Sequence, residues 1–254
     1  MTQGVQWRVL VPEREAPPLD ADLSGWTVYH QRRSHLNAMR SVAGRVYHLK
    51  WFFRRLFRGN PARRELENAR SVEALGIPTV LPIGWGTHAC GTFFVMEGSP
   101  GQPIYALAAR PDSERLDQLS RELGRLIATL HNAGLCHRDL YVDHVLIDGD
   151  DVRLIDLGRV MRFRRRRWIV KDLGGLLFSA WREDLPARAS RRFLASYVHH
   201  SHAEWRVRTL IQSLQRKARG YWRHNRLHPQ VGSSVSGQRA TGAARGAASI
   251  HPGR

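Results

Sequence analysis

His137-Arg138-Asp139-Leu140 and, a short interval later, Ile155-Asp156-Leu157-Gly158 are the stretches that decide how this chain folds. Tyr141 to His144 continues the first segment as a loop. Val145-Leu146-Ile147 then reads as a strand, Asp148-Gly149-Asp150-Asp151 as a turn and Val152-Arg153-Leu154-Ile155 as the returning strand. Such a hairpin carries one carboxylate at each end and converges Asp139 and Asp156 on one site. Taken singly, each Asp has a plainer reading as a turn residue, because Asp beside a strand satisfies local backbone N–H groups.

The plainer reading must treat a second pattern upstream as coincidence. Arg45 to Trp51 alternates as a strand and carries Lys50; the helical segment Pro61 to Leu75 carries Glu65. A lone Lys in a strand is usually a solvated edge residue and a lone Glu in a helix a surface one. The order strand-Lys, helix-Glu, His-Arg-Asp, Asp-Leu-Gly resembles that of the protein-kinase fold. The resemblance implies an α+β, two-lobed architecture, with a small antiparallel-sheet N-lobe and a mostly helical C-lobe. It also implies ATP and magnesium as cofactors. Asp139 would take the acceptor proton, Asp156 would hold the metal, and Lys50, braced by Glu65, would pair with the nucleotide phosphates.

Within that fold, HRDLYVDHVLI (137–147), LIDLGRV (154–160) and RRRWIVKDLGGLLFSA (165–180) resemble the lipopolysaccharide core kinases of the Kdo/WaaP type. Upstream, GRVYHLKWF and ARRELENARSVEALGIPTVLPIGWG fit that family's nucleotide lobe; RRFLASYV and RKARGYWRHNR fit its last helices. The resemblance implies transfer of phosphate to a sugar hydroxyl, of Kdo or heptose, on an anionic glycolipid. It also implies a cytoplasmic monomer working at the surface of the inner membrane. Three departures from the protein-kinase pattern stand out. His144 occupies the place of the second metal-ligating Asn, where a neutral imidazole could ligate although magnesium prefers oxygen. Tyr141 replaces a Lys used near the transferred phosphate, so charge neutralisation there must come from elsewhere. No Gly-x-Gly-x-x-Gly precedes Lys50, and the phosphate-covering turn would be built around Arg32-Arg33-Ser34-His35.

Composition sets the outer bounds. The 254 residues are 42% hydrophobic, enough to bury a full core, and two cysteines, Cys90 and Cys136, make no disulfide framework. Cys136 reads as a small buried residue in preference to a nucleophile. No signal-peptide core or membrane-length apolar run is evident. The formal net charge of +18 implies a polyanionic partner. Arg54, Arg55 and Arg58 follow the lysine strand. Arg164, Arg165, Arg166 and Arg167 lie just past Asp-Leu-Gly, where a kinase binds its acceptor. A third cluster, among them Arg216, Lys217, Arg219 and Arg223, is interleaved with Trp205, Tyr221 and Trp222 and suits a headgroup-level membrane surface. For any single helix, a charge run is more simply a solvated face.

Residues 1–25 are Pro-rich and read as an arm, 26–97 as the nucleotide lobe, 98–230 as the catalytic and acceptor-binding lobe, and 231–254 as a disordered tail. Glu97-Gly98-Ser99-Pro100-Gly101 suits a hinge whose backbone meets adenine. Leu116, Leu119, Leu123, Leu126, Ile127 and Leu130 form the buried stripe of a helix from Ser113 to Ala133. Lys171-Asp172-Leu173 opens a further helix, in which Asp172 either caps the N-terminus or braces the backbone of His137 and Arg138 from below. Two rivals to a glycolipid kinase remain at this point: an atypical protein kinase, and a catalytically dead module binding anionic lipid or RNA. Nucleic acid is not the expected partner of the first reading.

Overall fold

The computed structural model describes residues 4–12, 14–53, 59–99, 101–107 and 113–227. Arg54, Arg55, Arg58 and the tail from 231 lie outside these described residues. The chain forms two lobes. The first is a six-stranded antiparallel sheet of β1 (Gln6–Leu10), β2 (Thr27–Gln31), β3 (His35–Val42), β4 (Arg45–Phe53), β5 (Leu81–His88) and β6 (Gly91–Glu97), ordered β1-β5-β6-β4-β3-β2, with α1 (Pro61–Glu73) on one face. The second is mostly helical: α2 (Ser113–Asn132), α3 (Arg167–Arg182), α4 (Ala187–His200) and α5 (Val207–Leu227). The expected two-lobed α+β architecture is the one observed.

Period-2 alternation explains the sheet. Tyr47, Leu49 and Trp51 of β4 join Phe93 and Val95 of β6 in one core, which leaves Lys50 and Phe94 on the opposite face, where α1 packs. Ala43 and Gly44 both have positive φ between Val42 and Arg45, the two-residue turn a twisted hairpin favours. In α1, Asn60 caps the Arg63 N–H, Pro61 starts the helix, and Ala62, Glu65, Leu66, Ala69 and Val72 form one buried stripe. Glu65 is therefore buried because it lies on the apolar stripe of its helix.

The expectation of an N-terminal arm is corrected. β1 pairs with β5 as the edge of the sheet, and a bulge between Trp7 and Val9 sends these side chains to opposite cores. Ala16, Leu19, Leu23 and Trp26 cover the outer face of the sheet, and the Trp26 indole donates to the Pro18 carbonyl at 3.0 Å. Without this cover, Tyr47, Leu49, Trp51, Phe93 and Val95 would face water, at about 1.5–3 kcal/mol for each large side chain. Proline content marked the segment as a linker; its apolar residues make it a lid on the core.

In the helical lobe, the stripe expected on α2 is buried together with residues of α3, α4 and α5. Gly124 allows α2 and α4 to approach, since a Cβ there would lie 2.5 Å from the Phe193 carbonyl oxygen. Short pairings frame the loops: β7 (Gln102–Pro103) with β9 (Val145–Asp148), β9 with β10 (Asp151–Leu154), and β8 (Leu135–Cys136) with β11 (Met161–Arg162). Residues 137–144 and 155–160 thus each leave one paired strand and enter another.

Candidate active site

Lys50 lies at the centre of the site. Its ammonium pairs with the Glu65 carboxylate and, at 2.7 Å, with Asp156 Oδ1. Burial alone would lower the lysine pKa, but the two carboxylates outweigh it and hold the group above its ordinary range. One cation between two anions cannot satisfy both equally. Glu65 is pushed up by burial against the pull of Lys50, whereas Asp156 is held below the carboxylate range by Lys50. Gly158 explains its own identity: a Cβ there would lie 2.9 Å from Glu65 Oε2. The glycine of Asp-Leu-Gly makes room for the helix carboxylate. Asn68, also on α1, donates to the carbonyls of Leu157 (2.7 Å) and Val160 (3.2 Å), so α1 grips the loop that carries Asp156.

Asp156 and Arg138 both have positive φ, 58° and 69°. Non-glycine residues in this region cost about 1–3 kcal/mol each and persist only where their surroundings hold them. For Arg138 the restraints are explicit. Asp172 Oδ1 accepts its N–H at 2.7 Å, Asp172 Oδ2 accepts that of His137 at 2.6 Å, and Lys171 Nζ donates to its carbonyl at 3.0 Å. Of the two readings of Asp172, the structure has the brace. The capping reading is corrected, because α3 begins at Arg167 and Asp172 lies buried inside it. His137 is also buried; its Nε2 meets the Ile155 carbonyl at 3.1 Å, and burial first, then His144, lowers its pKa. His137, Arg138 and Asp172 thus shape the loop from beneath.

Asp139 faces outward. Arg159 Nη1 lies 2.9 Å from both of its carboxylate oxygens. This arginine, one residue past Asp-Leu-Gly, was missed in the sequence, although it supplies a cation where Tyr141 leaves one wanting. His144 Nδ1 lies 2.8 Å from the Asp139 carbonyl, which can only accept, so Nδ1 carries the proton and Nε2 turns toward Asp156 Oδ2, 3.6 Å away. Among the described residues no cluster of three or more His, Cys, Asp or Glu could hold a metal by itself. Magnesium is commonly bound by one or two carboxylates together with substrate phosphates and water. A low-pKa Asp156 with His144 beside it fits that mode and not a resident cage.

The turn at Arg32-Arg33-Ser34 joins β2 to β3 on the side of Lys50, and its neighbour His35 feels Lys50 and Asp156 electrostatically. Glu97 ends β6 opposite Tyr47, and the next N–H, of Gly98, is committed to the Val46 carbonyl. Tyr29 and His48, which make a 3.3 Å contact, flank this hinge and were not foreseen. The arginine run divides. Arg167 turns to Trp168, beside Arg138; Arg166 turns away to Trp205 and the Glu204 carbonyl; Arg164 and Arg165 are exposed. Lys217, grouped with a surface cluster by sequence, is exposed, with its stem beside Gly174 and its ammonium over Tyr221. Burial raises the Cys136 thiol to about 11, which suits a packing residue and not a nucleophile.

Comparison with known proteins identifies the family. The model of the lipopolysaccharide kinase (Kdo/WaaP) family matches residues 24–197. The lipopolysaccharide core heptose(I) kinase WaaP of Pseudomonas aeruginosa is 31% identical over 157 residues, 54% of this chain and 59% of that protein. That of Escherichia coli is 25% identical over 231 residues, 75% of this chain and 83% of that protein. Among solved structures, an aminoglycoside-3'-phosphotransferase of type VIII superposes with a TM-score of 0.53 at 22% identity, covering 76% of this chain and 93% of its own. At that identity the likeness concerns the fold alone.

Proposed function

This chain belongs to the lipopolysaccharide kinase (Kdo/WaaP) family, and from that premise we propose that it transfers a phosphoryl group from ATP to a sugar hydroxyl, of heptose or Kdo, on the lipopolysaccharide inner core. The observation that carries the reading is the convergence of Asp139, held by Arg159, and Asp156, held by the Lys50 that Glu65 braces, at one end of the β9–β10 hairpin. In the reaction, Lys50, braced by Glu65, orients the nucleotide phosphates. Asp156, with His144 beside it, would hold magnesium, whose charge would offset that of the phosphates. Asp139 aligns the acceptor hydroxyl and accepts its proton. Arg159 must give up Asp139 as that hydroxyl arrives, and the released guanidinium supports charge on the transferred group. Positioning and electrostatics carry this chemistry, because phosphoryl transfer asks little covalent work of the protein.

A glycolipid acceptor suits the outer surface as well. No helix among the described residues is long and apolar enough to cross a membrane. Trp181 and Trp222 are exposed and, with Arg219 and Arg223, line a cleft of about 380 Å³. Indole with guanidinium is the pairing that sits at lipid headgroups. We place the working protein at the cytoplasmic face of the inner membrane, held peripherally. Little chain separates Asp156 from the start of α3, which leaves no room for the long regulatory loop of a switched protein kinase.

The test is transfer of labelled phosphate from ATP with magnesium to delipidated inner-core oligosaccharide and, in parallel, to protein acceptors. Label should enter the oligosaccharide with the wild type and not with Asp139→Asn. Label found only in protein, or transfer to neither acceptor, overturns the reading. Mass spectrometry of the core from a deletion strain should show the loss of one phosphate.

A further inference from the structure

Trp168, at the start of α3, collects three cations. Arg138 lies 5.4 Å from the centre of its ring, Arg167 5.1 Å and the Lys171 ammonium 5.6 Å. Each attraction to the indole is real, but three like charges around one ring repel one another. Asp139 and Asp172 are the carboxylates that Lys171 feels, and neither forms an ion pair with the cations on this ring. The Asp172 oxygens are occupied by the N–H groups of His137 and Arg138 and by His131, and Asp139 is occupied by Arg159. The Arg138 Nε is buried without a hydrogen-bond partner among the described residues, a state a desolvated donor leaves only by finding an acceptor. Asp172 and Lys171 fix the Arg138 backbone, from which the guanidinium is delivered, in the left-handed region. Arg166, one residue from Arg167, shows the contrasting case: it rests on Trp205 and donates to the Glu204 carbonyl.

A guanidinium lying over an indole keeps its in-plane N–H donors at the edge, free for a planar or tetrahedral oxyanion. The cluster also lies near Asp139, since Lys171 feels both Asp139 and Arg159 electrostatically. We propose that Arg138, Arg167 and Lys171, gathered on Trp168, form a subsite for an oxyanion on the acceptor, a phosphate or carboxylate borne by the glycan away from the reacting hydroxyl. The subsite rests on the glycolipid-kinase reading for the identity of its ligand, but not for its ability to bind an oxyanion. It selects acceptors that already carry charge and sets the glycan's register against Asp139. Lys171 contributes an ammonium whose pKa is lowered by burial first and then by Arg159 and Arg138, against the opposing pull of Asp139 and Asp172.

Two arms test this. In the first, the full chain is loaded with magnesium and a non-hydrolysable ATP analogue so that the nucleotide site is filled. Inorganic phosphate is then titrated against tryptophan emission, with sodium chloride at matched ionic strength as control. A saturable phosphate response is expected, absent in Trp168→Phe and weakened about tenfold in Arg167→Gln/Lys171→Gln. Arg167→Gln alone, at an exposed residue, serves if the double variant does not fold, and should weaken the response about threefold. In the second arm, the inner-core acceptor is offered with its charged groups intact or neutralised by dephosphorylation and esterification. The double variant should reduce the preference for the charged acceptor about tenfold, through KM. A phosphate response no larger than that of chloride, or equal losses on both acceptors, overturns the subsite and leaves the kinase reading standing. A clear phosphate response with transfer to neither acceptor does the reverse.

Discussion

Replacing Glu65 by Gln separates what this carboxylate does for the fold from what it does for the chemistry. Glutamine keeps the shape beside Gly158 and still offers an oxygen to Lys50. Lys50 also keeps Asp156 at 2.7 Å, so no buried charge is left alone and the stability cost should be about 1 kcal/mol. The functional cost is larger. With a neutral amide in place of the Glu65 carboxylate, the ammonium is held mainly by Asp156, the carboxylate proposed for magnesium, and its bond on the helix side loses the anionic partner. At about 2–3 kcal/mol for that bond, kcat/KM should drop about 30- to 150-fold. Lys50→Met reverses the balance, because it strands the Glu65 carboxylate, 4% exposed, without a counterion. That variant should lose about 3–5 kcal/mol of stability. The double variant Lys50→Met/Glu65→Gln should recover about 2 kcal/mol or more of this while remaining inactive. Urea midpoints and steady-state kinetics on the four proteins give the cycle. Additive stabilities, or normal turnover in Glu65→Gln, would refute the reasoning.

Asp139→Asn should remove transfer while nucleotide affinity stays within about threefold, whereas Asp156→Ala should abolish magnesium-dependent nucleotide binding; equilibrium titration with a fluorescent nucleotide tells them apart. Gly158→Ala pushes a methyl against the Glu65 carboxylate and should reproduce much of the Glu65→Gln kinetic loss in a folded protein, as read by turnover alongside circular dichroism. Acid should destabilise the fold through His137. It is held neutral by burial when folded and free to protonate when unfolded, so its contribution is full above about pH 6.5 and is lost as pH falls toward its lowered folded value. Urea midpoints should therefore decrease between about pH 7 and pH 5.5, more steeply in the wild type than in His137→Asn. Reversing Arg219 and Arg223 should weaken binding to anionic vesicles more than tenfold, at about 1 kcal/mol per charge, and binding should decline steeply with salt; a salt-insensitive interaction would remove this surface from the membrane proposal.

What the sequence made legible followed the range of the signal. The β9–β10 hairpin and the stripe of α2 rest on local periodicity, and that periodicity survives folding unchanged. Lys50 and Glu65 were legible as a pair because each sits in a periodic element whose order is distinctive. What escaped depends on contacts far along the chain. Arg159 is one arginine among many until tertiary structure sets it on Asp139, and Asn68 is an ordinary helix residue until it meets Leu157. The start of α3 was hidden because the run from Arg164 has no apolar period, and Asp172 therefore looked like a first residue when it is an internal one. Residues 1–25 misled through composition: their prolines suggest a linker, while their spaced apolar side chains, Trp7, Leu19 and Leu23, pack on the sheet.

The charges that sequence could only count are arranged with opposite sense on the two sides of the hairpin. On the nucleotide side, Lys50 faces two carboxylates, Glu65 and Asp156, and one negative charge is left over. That side is poised for a cation, the role we propose for magnesium. On the acceptor side, Arg138, Arg159, Arg167 and Lys171 outnumber Asp139, and the excess is positive. That side is poised for an anion. A kinase acting on a neutral sugar would gain nothing from such an excess, because the hydroxyl to be activated is uncharged and Asp139 must compete with four cations to accept its proton. The arrangement makes sense if the acceptor carries its own charge and, on arrival, neutralises the cluster and frees Asp139 from Arg159. Charge on the acceptor then serves as part of the trigger for transfer, and acceptor selectivity and base activation become one electrostatic event.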